Sequence, residues 1–106
     1  MERPEVSDEI LLKAIEALTV NLGRKIEKHG RGAYVGNHET LGIVAEEYHE
    51  LVEAVRQNDP VDVANELMDV AVGALFGVAS MMEKEERIKA AAESLQKRVA
   101  AAQSEE

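Results

Sequence analysis

Residues 46–69 read EEYHELVEAVRQNDPVDVANELMD, and they hold eight carboxylates against one base, Arg56. Asn58-Asp59-Pro60 divides the stretch. Asp59 is suited to cap a helix N-terminus, and Pro60 suits the first helical position, where its missing N–H costs nothing. Apolar residues recur at helical spacing on both sides, so the stretch predicts helix, short turn, helix, with the two helices antiparallel. Counting outward from Asp59, Glu50 is level with Glu66 and Glu47 with Asp69, to within roughly 3 Å at about 1.5 Å per residue. Four carboxylates, two per helix at i and i+3, would meet at one height. Such an all-oxygen set suits a hard divalent cation such as Mg²⁺ or Mn²⁺.

A wheel at about 100° per residue supports the choice of acids. Leu41, Val44, Tyr48, Leu51, Val52 and Val55 share one face of the earlier helix, which starts with Asn37 or Thr40 as cap and ends near Gln57. Glu47 lies beside that face and Glu50 at its margin, with Glu46 and Glu53 further round. The later helix, Pro60 to about Met82, is apolar on most sides except for a stripe of Asp62, Asn65, Glu66, Asp69, Gly73 and Ser80. A helix of that kind is expected at the centre of a bundle, where carboxylates are costly unless paired, protonated or bound to a cation.

Outward from this hairpin the chain reads as one all-α domain over residues 1–106. Ser7 caps a first helix that runs through Ile10, Leu11, Ile15, Leu18 and Leu22 to about Lys28. The segment 29–38, with three of the seven glycines, is a loop. The charged run 83–87 leads into a fourth amphipathic piece through Ile88, Leu95 and Val99, either separate or one bent rod with the third. Gln103 to Glu106 is expected to fray. The expected fold is a four-helix bundle, completed by dimerisation because the third helix needs neighbours on most sides.

Composition limits the functions available. The 106 residues carry 12 Lys and Arg against 21 Asp and Glu, a net charge of −9. A broad acidic surface repels polymer phosphates, so no nucleic-acid polymer is expected as partner. Three aromatic residues make no stacking platform, and the absence of cysteine excludes disulfides and thiolate chemistry. No membrane span is expected, since Asp62, Glu66 and Asp69 interrupt the third helix and the uncharged run after them is short. MERPEVSDEI lacks a long apolar core, so no signal peptide is read and the expected location is cytoplasmic.

The pattern Glu46-Glu47-x-x-Glu50, followed after fifteen residues by Glu66-x-x-Asp69, resembles the signature of the all-α nucleoside triphosphate pyrophosphohydrolases. That superfamily includes the MazG-like enzymes, the dimeric dUTPases and phosphoribosyl-ATP pyrophosphohydrolase. The resemblance covers residues 40 to 82 well, and the extended first helix and loop favour a MazG-like enzyme within it. It implies a Mg²⁺-dependent attack of water on the α-phosphate of a nucleoside triphosphate, giving the monophosphate and pyrophosphate, in a homodimer or homotetramer. Carried over by residue, Glu47, Glu50, Glu66 and Asp69 are the metal ligands. Glu46 and Glu47 are the catalytic acids, with Glu46 assisting a ligand or orienting water. Lys25, Lys28, Arg31, Lys97 and Arg98 are candidates for phosphate, and Asn37, His38 and Tyr34 for base or sugar.

Two other classes compete. A di-iron bundle would use Glu46-x-x-His49, but it needs a second histidine near Asp69 and none is there. A non-enzymatic, metal-binding helical interaction module accounts for helix packing, yet gives no reason for the level register. Within the superfamily, phosphoribosyl-ATP is the alternative substrate.

Overall fold

The computed structural model describes residues 2–104 of the chain. Those residues form three helices and no strand: α1 (Asp8–His29), α2 (Asn37–Gln57) and α3 (Pro60–Ser104).

Local chemistry sets most of the helix ends. The Ser7 hydroxyl accepts from the Ile10 N–H at 3.2 Å, and Asp8 and Glu9 occupy the first turn of α1, where the helix dipole favours anions. α1 stops at Gly30, whose φ of 83° a side chain would resist, and whose N–H donates to the Ile26 carbonyl. Asn58 ends α2 in the left-handed region at φ 56°. The next residue, Asp59, caps α3, accepting from the N–H groups of Val61 and Asp62 at 3.0 and 3.4 Å.

Two expectations about ends are corrected. Neither Asn37 nor Thr40 caps α2: the N-cap is Gly36, which offers no side-chain bond. Thr40 lies a turn inside, its hydroxyl donating to the Gly36 carbonyl at 3.2 Å. The third and fourth helical pieces are one 45-residue helix, so the chain supplies three helices rather than four. Residues 83–87 continue the helix because Glu, Lys and Arg are good helix formers, and Arg87 pairs with Glu83 one turn earlier. The expected fraying from Gln103 is not seen as far as Ser104; Glu105 and Glu106 lie outside the described residues.

Packing shifts the expected wheel by about a quarter turn. α3 buries its small and polar stripe, with Val72, Gly73, Gly77 and Ser80 buried and Glu66 half-buried. α2 lies against that stripe through Thr40, Ile43, Glu47 and Ala54. A Cβ on Gly73 would be 3.7 Å from the Ile43 side chain, and one on Gly77 only 2.6 Å from Thr40 Cγ2. The helices come this close because neither glycine interposes a side chain. The apolar faces expected to be inner are only partly covered: Val44, Leu51 and Val52 on α2 are half-buried, while Leu41, Tyr48 and Val55, and Leu67, Val78 and Met81 on α3, are each more than half exposed.

The chain is elongated, 74 × 30 × 30 Å, with a radius of gyration of 20.5 Å. A compact chain of this length would have about 13 Å. By length and composition alone α3 could cross a bilayer, and little of its apolar stretch is buried in the chain.

Candidate metal centre

The antiparallel α2–α3 hairpin brings its acids to one level. One carboxylate oxygen each from Glu47, Glu66 and Asp69 lies within 4.8 Å of the others. Glu50 lies near enough to Glu47 and Glu66 for its charge to raise both carboxyls. Glu47 and Glu66 are half-buried, whereas Glu50 and Asp69 are exposed. Three of the four expected ligands therefore stand together with Glu50 near them, and Glu46, which precedes Glu47 in the chain, is exposed. Glu53 is turned away and pairs with Arg56 at 3.3 Å.

The electrostatics of the cluster are unbalanced. Burial pushes the Glu47 and Glu66 carboxyls above their ordinary value, and the neighbouring carboxylates push them further. Oε2 of Glu47 and Oε2 of Glu66 are both buried with no hydrogen-bond partner. Among the described residues the ion pairs are Lys13–Glu9, Arg56–Glu53 and Arg87–Glu83, and none reaches the cluster. Closely spaced, partnerless carboxylate oxygens are what a hard divalent cation would satisfy.

The expected substrate contacts are scattered by comparison. Lys25 is half-buried, donates to the Tyr34 hydroxyl at 2.5 Å, and sits 5.2 and 5.5 Å from the ring centres of Tyr34 and Phe76. Phe76 is seven residues beyond Asp69, about 10 Å further along α3. Lys28, Asn37 and His38 are exposed around the α1 end and the α2 start, and Arg31 lines a cavity of about 1040 Å³ between the loop, α1 and α3. Lys97 and Arg98 are exposed and some 28 residues beyond Asp69. At about 1.5 Å per residue that is roughly 42 Å, out of reach of the cluster in the same chain.

One arrangement went unread in the sequence. Tyr34 ties the loop to α3: its N–H donates to the Ser80 Oγ at 3.0 Å, and its ring meets Phe76 edge-on at 4.9 Å. Three of these residues carry a weak signal in their types, since Tyr34 and Phe76 are two of three aromatics and Lys25 is a cation able to lie over them.

No curated protein and no solved structure gives a significant match. The family model described as the MazG nucleotide pyrophosphohydrolase domain matches residues 36–100, which include the whole of α2, most of α3 and every acid of the cluster. With well over half of its length matched, the chain belongs to the MazG nucleotide pyrophosphohydrolase family.

Proposed function

We propose that the chain hydrolyses a nucleoside or deoxynucleoside triphosphate to the monophosphate and pyrophosphate, with Mg²⁺ as its natural cation and Mn²⁺ as a substitute. The observation that carries this reading is the pair of buried, partnerless oxygens on Glu47 and Glu66, level with Asp69 and beside Glu50. These four side chains would hold the cation. When bound, it would screen the triphosphate charge and polarise the phosphorus that is attacked.

The remaining roles fall to this chain's own groups. Glu46, exposed next to the cluster, would orient the water on the open side of α2. Glu47, beside Glu46 on α2, would receive the proton that the water gives up. Lys25 would meet phosphate or ribose from its place over Tyr34 and Phe76, two helical turns from Asp69. Asn37 and His38, at the open start of α2, would reach the base or sugar, and Lys28 and Arg31 would add positive charge near the loop. An acidic protein can take an anionic substrate here because the cation stands between them.

We also infer that the chain is a cytoplasmic homo-oligomer whose apolar α3 packs against protein rather than lipid; Glu66 and Asp69 on that helix would be costly in a bilayer. The test is a panel of ribo- and deoxynucleoside triphosphates, with and without Mg²⁺, scored for pyrophosphate release. Release that needs Mg²⁺ supports the reading. Failure of every nucleotide, with the phosphoribosyl compound cleaved instead, would replace the substrate.

A further inference from the structure

Asp69, Phe76 and Glu83 follow one another along α3 at intervals of seven residues, close to two helical turns, so they share one line of the helix. Asp69 belongs to the acid cluster, whereas Phe76 and Glu83 line the cavity of about 1040 Å³ between the loop, α1 and α3. A volume of that order suits a small-molecule site, and so does a lining that is apolar for the most part, with Leu75 and Ala79 from α3 and Leu22 and Ile26 from α1. Phe76 and Ala79 stand about 10 and 15 Å along α3 from Asp69. A molecule held by its phosphates at the acids and extended along this line would pass Lys25 and enter the cavity.

Two properties of the lining fit a nucleobase. Tyr34 and Phe76, both half-buried, offer ring surface on which a flat heterocycle can stack. Lys25 lies over both rings but does not line the cavity, so the rings adjoin the cation and the cavity at once. The charged groups of the lining are Arg31, Glu83, Lys84 and Arg87; Glu85 and Glu86 lie outside it. Arg87 Nε holds Oε1 of Glu83 at 3.4 Å, which orients that carboxylate, and among the described residues no ion pair engages Arg31 or Lys84. One oriented carboxylate and two uncommitted cations distinguish the bases. Guanine turns N1–H and its N2 amino group side by side to a carboxylate, and O6 and N7 side by side to a cation. Adenine and cytosine would turn a ring-nitrogen lone pair to the carboxylate. Uracil and thymine offer it a single N–H between two oxygens that it repels.

We propose that this cavity seats the base of the substrate, and that Glu83, with Arg31 and Lys84, selects guanine. The inference deepens the hydrolysis proposed above and rests on it for the direction in which the nucleotide lies: triphosphate at the acids, sugar beside Lys25, base beyond Phe76. A helical side chain leans toward the N-terminus of its helix, so Glu83 reaches back over Ala79, where the edge of the base would lie. Glu83, Arg31 and Lys84 are exposed, so water competes for them. The discrimination is therefore about tenfold for each hydrogen bond to a charged group, rather than the far larger ratios of an enclosed polar site.

The experiment compares kcat/KM for GTP, ATP, CTP, UTP and ITP, which lacks only the N2 amino group of GTP, in wild type and Glu83→Gln. Binding of GMP, IMP and AMP is measured beside it by calorimetry without divalent cation, and helicity by circular dichroism. GTP is expected to lead ATP and the pyrimidines, and to lead ITP by about tenfold; Glu83→Gln should lower GTP turnover and narrow its lead over ITP. Equal use of all the triphosphates, or preference for another base, overturns the guanine assignment and leaves the hydrolysis standing. A guanine preference that Glu83→Gln does not narrow overturns the role of Glu83. Should that variant unfold, the comparisons of GTP with ITP and of GMP with IMP in wild type decide the matter. If no triphosphate is cleaved, the hydrolysis fails and the monophosphates test the cavity alone. GMP bound about tenfold tighter than AMP then supports the base seat, and equal binding, or none, overturns it.

Discussion

Glu47 of α2 and Glu66 of α3 each bury an oxygen without a hydrogen-bond partner, and their carboxylates meet across the hairpin within 4.8 Å of Asp69. A fold that holds like charges together in this way is under electrostatic strain until something positive or neutral relieves it. Replacing one of them should therefore separate stability from activity. Glu66→Gln is expected to raise cation-free stability, by on the order of 1 kcal/mol, since it removes one of the repelling charges. The same change should lower Mg²⁺-dependent pyrophosphate release by about 100-fold or more. Urea unfolding with chelator present, beside a turnover assay, reads both; an unchanged turnover would remove Glu66 from the ligand set.

The same strain fixes the sign of a pH effect. Because both carboxyls are raised in the folded chain, it holds their protons more tightly than the unfolded chain does. Their contribution to cation-free stability is full below the ordinary value of 4.5 and is lost as pH rises through the raised folded values. Excess Mg²⁺ should flatten this decline, since bound cation favours the ionised forms. Urea midpoints between about pH 5 and pH 7.5, compared with Glu47→Gln/Glu66→Gln, isolate the effect. A decline of equal slope in that variant would place its cause elsewhere.

Gly77 and Thr40 make a second test, of the packing that sets the register. A methyl group at Gly77 would strike Thr40 Cγ2 at 2.6 Å, and threonine, branched at Cβ, has little freedom to turn aside. Gly77→Ala alone gains up to about 1 kcal/mol of helix propensity, but overpacking costs about 1–3 kcal/mol. The expected net result is destabilisation. In a Thr40→Ser background the clash is gone and the propensity gain remains, so the same substitution should stabilise. A double-mutant cycle by urea unfolding checks the change of sign.

The loop anchor gives a local prediction. The Ser80 Oγ receives the Tyr34 N–H and itself donates to the Phe76 carbonyl at 2.8 Å. Ser80→Ala leaves that N–H without its partner, at a cost of about 1–3 kcal/mol if the group stays buried. The loop should loosen before the hairpin does. Amide exchange at Tyr34 is expected to quicken while that at Val72 keeps its rate, and KM should rise more than kcat falls, because Lys25 loses its seat beside Tyr34.

The hairpin was legible because its signals are local and arithmetic. Asp59-Pro60 marks a turn, and counting from it puts Glu47, Glu50, Glu66 and Asp69 at one height without knowledge of any contact. The facing of α2 was only partly legible, for the opposite reason. Periodicity shows that Leu41, Tyr48 and Val55 share a face, but not what covers it. Gly73 and Gly77 let the small face of α3 receive α2, since neither interposes a side chain against Ile43 or Thr40. The join of the last two helical pieces was undecidable from residues 83–87, where charge is compatible with a turn and with an exposed helix. Tyr34 and Ser80 are separated by 46 residues, and no local pattern announces such a contact.

The central claim is that the four carboxylates hold a divalent cation, and titration of Mn²⁺ into the cation-free chain, followed by its electron paramagnetic resonance signal, tests it most directly. Wild type is expected to bind Mn²⁺ saturably, Mg²⁺ to compete, and Glu50→Gln/Glu66→Gln to lose the binding while remaining helical. Equal binding by wild type and that variant, or none by either, would contradict the account.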